Sequence, residues 1–293
     1  MSDPFAAYVA PARPRNQIWR LVLGVIIIGF FWVLGTFSVL FGAQAVLPPE
    51  ALGAALAGVE TGSTPLGMSL LFLTFLGLLI GSIAAAGLMH RRGLQSLTGP
   101  YRAFFGDFAR VILPLLAFYG GLVALWNLTF DPIPNLAFGQ WLVLIPLGLA
   151  GVAIQTLAEE MAFRGYFMQQ LAARFRSPLV WMGLPTIAFG ALHFTGQAGL
   201  AVGVLIVLAT AAFGLAAADL TRRRGNLGAA WGLHFLNNCF AILILATGGT
   251  LPGLALWVTP YGMDTPDILM VMLVADMVAL FIAWRMAVWA LAR

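Results

Sequence analysis

Several ionisable residues of this chain lie inside or at the end of long apolar stretches, where charge is unfavourable. Glu159 and Glu160 end one such stretch together with Arg164, and His193 and His234 lie in later stretches. A charged side chain at the centre of a bilayer costs at least ~2.5 to 3.5 kcal/mol on insertion scales. Such residues are therefore candidates for a functional site, and carboxylate and imidazole groups are those that activate water in hydrolysis.

The two neighbouring glutamates are expected to differ in role. Glu160 and Arg164 are four residues apart with the acid on the N-terminal side, which favours an ion pair on one helix face. Glu159 is rotated by about 100° from Glu160 on an α-helix. The two carboxylates cannot both face Arg164, so we expect Glu159 to be free for chemistry. The alternative interpretation is an ordinary charged helix end near the membrane surface.

The two histidines belong to separate short motifs. His193 follows Phe189 by one helical turn, near the end of an apolar stretch. His234 and Asn238 are four residues apart and share one face of their helix. Inside a membrane both of these side chains need polar partners. Asn237 lies on another face and is assigned no role, and a hydrogen-bonded packing residue is the alternative interpretation of His193.

The composition places these motifs in an integral membrane protein. Hydrophobic residues make up 61% of the chain, charged residues 9%, and the mean hydropathy is +0.95. No soluble domain of this size needs such a balance to fill its core. A helix needs roughly 20 apolar residues to span a bilayer. Stretches of this kind predict an all-α bundle of eight transmembrane helices, at about 18–43, 66–90, 107–128, 139–161, 179–195, 199–221, 227–246 and 267–290.

The arginines give these helices an orientation. All 15 basic residues are arginines, and they lie before the first span, in the loop regions after the second, fourth and sixth spans, and near the C-terminus. The other loops carry only acidic residues: Glu50, Glu60, Asp131, Asp264 and Asp267. By the positive-inside rule, both termini and the arginine-bearing loops are cytoplasmic, and the cell membrane is the expected location. The net charge of +4 is then a topology signal and does not indicate a nucleic-acid partner.

Three further features bear on cleavage of the chain or on a functional site. The Ala-Gln-Ala sequence at 43–45 resembles a signal-peptidase site, but the apolar run 21–41 exceeds the roughly 7 to 15 residues of a signal-peptide core, so an uncleaved first helix is expected. Cys239 has no second cysteine with which to form a disulfide and is expected to be a buried hydrophobic residue. Asp276, in the last span, is expected to be protonated or paired with a neighbouring helix.

The three motifs together resemble those of a known family. Their order, Glu-Glu-x-x-x-Arg, then Phe-x-x-x-His, then His-x-x-x-Asn, is similar to that of the CAAX-processing and bacteriocin-processing (CPBP) intramembrane endopeptidases, relatives of the Ras-converting CAAX prenyl protease. Every motif residue is present: Glu159, Glu160, Arg164, Phe189, His193, His234 and Asn238. We divide the chain accordingly into N-terminal helices (1–138), a catalytic core (139–246) and a C-terminal loop and helix (247–293).

The resemblance implies hydrolysis of a peptide bond by water held within the membrane. In the family the first glutamate and the first histidine activate this water, which corresponds to Glu159 and His193. His234 and Asn238 would stabilise the tetrahedral oxyanion. The other motif residues would support them: Glu160, Arg164 and Phe189. The implied substrate is a membrane-associated peptide or protein, such as a prenylated C-terminus or a leader or signalling peptide, in a cavity open to the cytoplasm.

A metal-free mechanism is favoured over a zinc-dependent one. Two histidines and a carboxylate are a ligand set that zinc accepts in hydrolases, here Glu159, His193 and His234. The chain has no His-Glu-x-x-His sequence, and the family has been described both as metal-dependent and as glutamate-based. We therefore expect no cofactor, with zinc as the alternative.

Two other classes of function stay open. A membrane scaffold or partner-binding protein could keep the motifs without catalysis. A proton-coupled transporter could use the carboxylates to carry protons, but it should show related halves or helices broken at corresponding positions, and the sequence shows neither.

The depths of the two histidines set a condition on the fold. His234 lies roughly 10 Å into its span, whereas His193 lies roughly 21 Å from the start of its span at Leu179. If that helix instead begins at Pro185, a residue favoured in a first turn, His193 comes to roughly 12 Å. The boundaries of spans five and six therefore depend on where this helix begins.

Overall fold

The protein is described by a computed structural model of residues 3–293, most of which are helical. An N-terminal helix α1 (Pro4–Val9) continues into a 3₁₀ turn (Ala10–Arg15). The later helices are α2 (Ile18–Val46), α3 (Pro49–Thr61), α4 (Pro65–His90), α5 (Leu94–Thr98), α6 (Tyr101–Trp126), α7 (Phe138–Glu160), α8 (Gln169–Arg174), α9 (Leu184–Ala191), α10 (Leu200–Arg224), α11 (Gly228–Cys239) and α12 (Pro266–Leu291). The predicted all-α class is confirmed.

Six helices in residues 3–293 are long and apolar enough to cross a membrane. They are α2, α4, α6, the continuous helix Phe138–Arg174, α10 and α12. The prediction of eight spanning helices is therefore not confirmed. Predicted spans five and seven are the shorter apolar helices Leu179–Ala191 and Gly228–Ile244. Each of these helices is shorter than its predicted span because the apolar stretch of the sequence continues beyond the helix end, into a loop or a strand.

Three π-helical turns lie within or next to the α-helices that carry the motifs. One spans Met161–Met168 directly after the two glutamates, inside the continuous helix Phe138–Arg174. A second, Leu179–Gly183, precedes α9, and a third, Phe240–Ile244, follows α11. Wider turns of this kind are rare and often occur at functional sites. Here they adjoin all three segments that contain predicted site residues.

A small sheet, which the sequence analysis did not predict, closes one end of the bundle. Its strands are β1 (Ile133–Pro134), β2 (Leu245–Gly248) and β3 (Trp257–Gly262). The strand order is β1-β3-β2, with β1 antiparallel and β2 parallel to the central β3. The sheet ties the loop between α6 and α7 to the loop between α11 and α12.

The loops gather at two ends of the bundle that differ in charge. At the end that holds the sheet, called here the acidic end, the backbone N–H of Gly253 donates to the carbonyl of Gly62 at 2.7 Å. At the opposite, arginine end, Asn16 Nδ2 donates to the carbonyl of Ala173 at 2.8 Å, and Arg20 Nη1 to that of Met89 at 2.7 Å. The N-terminal segment therefore packs on the arginine-bearing loops.

A buried polar cluster at the arginine end fixes the start of α11. The Asp107 carboxylate, which is fully buried, accepts hydrogen bonds from Arg224 Nη2 and Asn226 Nδ2, both at 2.8 Å. Asn226 Oδ1 in turn accepts from the backbone N–H of Gly228, the first residue of α11, at 2.8 Å. Further along α11, Trp231 Nε1 donates to Thr156 Oγ1 of α7 at 3.1 Å. These bonds hold α11, and with it the histidine motif, against α6 and α7.

Candidate active site

One cavity of about 530 Å³ contains most of the polar residues singled out in the sequence. Its lining includes the predicted residues Glu159, His193, His234 and Asn238. They come from α7, from the loop after α9, and from α11. The cavity extends to Thr259 in the sheet, at the acidic end. A cavity open to the cytoplasm, on the side of the arginine-bearing loops, was predicted, whereas the observed cavity extends towards the end without those loops.

The predicted ion pair between Glu160 and Arg164 is present and buried. Arg164 Nη1 lies 3.0 Å from Glu160 Oε1, and neither side chain has appreciable exposure. Arg164 Nη2 also donates to the carbonyl of Gly214 on α10 at 3.4 Å. The guanidinium carbon lies 4.6 Å from the centre of the Phe189 ring, within cation–π range. The charge of Glu160 is thus neutralised inside the protein, and Phe189 packs against Arg164.

His234 lies between the two glutamates, which the sequence analysis did not foresee. Its Nδ1 is 2.8 Å from Glu160 Oε1, and its Nε2 is 3.4 Å from Glu159 Oε2. An ionised carboxylate only accepts, so Nδ1–H is the donor to Glu160. Glu160 thereby fixes the orientation and the tautomer of His234. Nε2 can donate as well only when the ring carries both protons.

Aromatic rings enclose His234 on its other sides. The ring centre of Phe213 on α10 is 4.7 Å away, and Phe189 meets the imidazole edge to face at 6.1 Å with an interplanar angle of 89°. His234 is 3% exposed. The ring is therefore held by packing as well as by hydrogen bonds.

His193 lies one turn beyond Phe189, as the spacing predicted, and is exposed. Its Nδ1 is 2.8 Å from the Phe189 carbonyl, to which Nδ1–H donates. In the neutral ring this leaves the lone pair of Nε2 free to accept a proton. His193 lies two residues beyond the end of α9, whose first turn contains Pro185. The helical segment as a whole begins at Leu179 with a π-helical turn, so the start at Pro185 that would have matched the depths of the two histidines holds only for its α-helical part.

Asn238 belongs to a chain of hydrogen bonds that the sequence analysis missed. Tyr119 donates from its hydroxyl to Asn237 Oδ1 at 3.1 Å, Asn237 Nδ2 donates to Asn238 Oδ1 at 3.1 Å, and Asn238 Nδ2 donates to Gln155 Oε1 at 2.9 Å. One amide proton of Asn238 stays available. Gln155 lies four residues before Glu159 in an apolar helix, and this spacing was a signal that could have identified it.

The predicted alternative of a zinc site was tested against the arrangement of ligands. Among residues 3–293, no three His, Cys, Asp or Glu side chains are grouped so that they could hold a metal ion. His234 Nε2 and Glu159 Oε2 lie 3.4 Å apart, but His193, in the exposed loop after α9, is not grouped with them. Glu159, His193 and His234 share the cavity without forming a ligand set, so no catalytic step is assigned to a metal here.

Two further residues from the sequence analysis were located. Cys239 is buried, as expected. Asp276 lines the same cavity as the motif residues and takes part in none of the ion pairs of residues 3–293, whereas the expectation was a side chain that is protonated or paired with a neighbouring helix.

Comparison with known proteins agrees with the three motifs. Residues 140–240 match a family model described as type II CAAX prenyl endopeptidase Rce1-like. The uncharacterized protein YyaK of Bacillus subtilis (strain 168) is 21% identical over 254 residues, which cover 84% of this chain and 84% of YyaK. No solved structure matches the chain. The matched segment contains all the motif residues, and the predicted resemblance is confirmed.

Proposed function

We propose that this protein is an intramembrane endopeptidase of the CAAX type, because residues 140–240 match the family model of Rce1-like type II CAAX prenyl endopeptidases. The observation that carries the proposal is the unequal state of the two glutamates. Glu160 is fully buried against Arg164, whereas Glu159 lines the cavity next to His234. A carboxylate freed in this way, within a cavity that also contains His193, is suited to activate water.

Glu159 and His193 are the proposed activators of the attacking water. The water oxygen bonds to the carbonyl carbon of the scissile peptide as Glu159 takes one of its protons. His193 Nε2, unprotonated when Nδ1–H donates to Phe189, can accept a hydrogen bond from the same water. Collapse of the tetrahedral intermediate then breaks the C–N bond, and the leaving amine takes the proton back from Glu159.

Asn238 and His234 are the proposed stabilisers of the oxyanion. The second amide proton of Asn238 and, in the doubly protonated ring, the Nε2–H of His234 are the available donors. Removing one such donor from other enzymes lowers kcat by about 10²- to 10³-fold. Glu160 and Gln155 are positioning residues in this scheme, since each holds one of the two donors.

The orientation in the membrane narrows the class of substrate. The positive-inside rule, applied to the arginine end, makes the acidic end the outer one, and the cavity extends towards the acidic end. This favours leader or signalling peptides reached from the outer side over prenylated C-terminal peptides reached from the cytoplasm.

The test is turnover of a library of membrane peptides by the purified protein, with Glu159→Ala as the matched variant. Cleavage by the wild type and none by the variant is expected, and activity should persist after treatment with a strong chelator. A folded wild-type protein that cleaves no peptide would favour the scaffold interpretation. Activity lost on chelation and restored by one equivalent of zinc would move the mechanism to a metal.

A further inference from the structure

Asp276 is the one charged residue of α12 that faces the cavity. Met272, Leu273, Met277 and Leu280 line the cavity on the same side of this helix. On the opposite side, large apolar residues are exposed: Val271, Val274, Val278, Phe281 and Ile282. Because the two sets alternate with helical spacing, α12 turns an apolar face outwards and an acid inwards. The carboxylate therefore belongs to the cavity and not to the lipid-facing surface.

Apart from its two histidines, the ionisable residues that line the cavity are acidic. Glu159 and Asp276 are its acidic residues, and no arginine is part of the lining. Arg164, the nearest cation to the glutamate pair, is engaged by Glu160. Asp276 takes part in none of the ion pairs found among residues 3–293. The cavity thus presents a carboxylate that no cation of the described chain neutralises.

The cavity that contains this carboxylate is lined mainly by apolar residues. Phe72, Trp126, Phe130 and Ile242 are among them. Once a peptide fills the cavity and excludes water, the carboxylate is costly unless a partner of opposite charge or a hydrogen-bond donor meets it. In a cavity that receives a peptide, the substrate can supply that partner.

We propose that Asp276 is a specificity-determining residue that pairs with a lysine or arginine side chain of an otherwise apolar substrate peptide. This inference rests on the proposed endopeptidase function, and it identifies the chemistry of the substrate at that same site. Among the described hydrogen bonds and ion pairs, Asp276 has no contact with Glu159, His193 or His234, so the proposed role is one in substrate binding and not in the chemical step. A site built to pair with a charge rejects peptides without that charge, because the acid is then left without a partner.

The test uses purified wild type, Asp276→Asn, Asp276→Glu and Asp276→Lys. The probes are short apolar fluorogenic peptides that carry lysine, glutamine or glutamate at each position in turn. We expect the wild type to cleave a lysine peptide with a kcat/KM roughly tenfold to 100-fold above its glutamine counterpart, the range of a desolvated charge pair. Asp276→Asn should abolish the preference, Asp276→Glu should keep it, and Asp276→Lys should favour the glutamate peptide.

The matched control is Asp267→Asn, which removes an acid from the exposed first turn of the same helix, outside the cavity lining. It should leave the preference for lysine unchanged. Equal cleavage of lysine and glutamine peptides by the wild type, or a lysine preference that survives in Asp276→Asn, overturns the inference while the endopeptidase function stands.

A binding measurement tests this inference independently of the proposed function, because it needs no turnover. Peptide affinity can be measured by fluorescence anisotropy in a Glu159→Gln background. Tighter binding of the lysine peptide that disappears with Asp276→Asn supports the inference even where the wild type cleaves nothing. Equal affinities for lysine and glutamine peptides, with and without Asp276, contradict it.

Discussion

Glu160 is the most constrained side chain of the site, since its fully buried carboxylate meets both Arg164 and His234. Glu159, 7% exposed, meets only His234 at a longer distance. The difference between the two acids is thus one of surroundings. Substitutions of equal size at the two positions should therefore have different effects.

Glu159→Gln should abolish cleavage and leave the fold intact, because the amide is nearly the same size but cannot take a proton from water. We expect a loss of about 10²- to 10⁴-fold in kcat, the usual contribution of a general base, with an unchanged melting temperature. Near-normal turnover by Glu159→Gln would contradict the assignment of Glu159 as the general base. As the matched variant, Glu160→Gln should lower the melting temperature too, since breaking a buried pair costs about 3 to 5 kcal/mol.

Gln155 offers a test of positioning. Gln155→Leu removes the acceptor that holds Asn238, and we expect kcat to fall roughly 10- to 100-fold, as for other residues that orient a reacting group. Thermal unfolding of the same variant shows whether the fold is kept. Near-normal kcat in a folded Gln155→Leu would mean that the bond to Asn238 does not matter for catalysis.

At this scale the sequence predicted the Glu160–Arg164 pair and the turn between Phe189 and His193, because both depend only on local helical spacing. The contacts of His234 with the glutamates could not be predicted. They join residues 74 positions apart, and only the packing of α11 on α7 brings them together.

At the scale of elements, the crossing of α9 and α10 sets the position of His193. A Cβ atom at Gly190 would lie 2.6 Å from the carbonyl oxygen of Val207 and 3.0 Å from the Cβ of Ala211. The two backbones are therefore in close contact at the residue directly after Phe189, and no side chain larger than hydrogen fits at this position without a shift of one helix.

Gly190→Ala should push α9 away from α10 and displace both Phe189 and His193. We expect a destabilisation of about 1 to 3 kcal/mol, typical of overpacking, and a loss of activity larger than the loss of folded protein. Gly183→Ala is the control, since nothing lies within 4 Å of a Cβ there. Thermal unfolding and turnover measured on both variants would show the contrast, and equal behaviour of the two would contradict it.

The sequence indicated the elements themselves better than their lengths. Apolar runs at 179–195 and 227–246 were interpreted as full spans, yet the helices end at Ala191 and Ile244. Hydropathy records which residues avoid water, whereas a helix end depends on local turns. The small sheet pairs segments that are far apart in the chain, and neither it nor the π-helical turns has a periodic signal in the sequence.

At the scale of the whole molecule, the charge of the two ends predicts the orientation in the membrane. Single cysteines at Glu60, Asp131 and Asp264 should react with an impermeant thiol reagent added to intact cells, since these acidic positions are exposed. Cysteines at Arg91 and Arg223 should react only after permeabilisation, and the same is expected at a third position, Arg174.

The labelling pattern also decides which substrates can reach the site. The expected pattern puts the acidic end, and the cavity directed towards it, on the outer side. The reverse pattern would place the cavity on the cytoplasmic side and bring prenylated C-terminal peptides back into reach. A mixed pattern within either set would mean that a helix does not cross the membrane as described.

The short helix Leu179–Ala191 has a consequence for the supply of water, the second reactant. At 1.5 Å per residue it is about 20 Å long, less than the ~30 Å thickness of a bilayer core. The exposed loop 192–199 that follows carries backbone groups that lipid cannot satisfy. Water must therefore accompany this loop to His193, and its amides should exchange hydrogen for deuterium faster than those of α9. A hydrolase embedded in lipid would in this way owe its hydration to a helix that ends about two thirds of the way across the bilayer core.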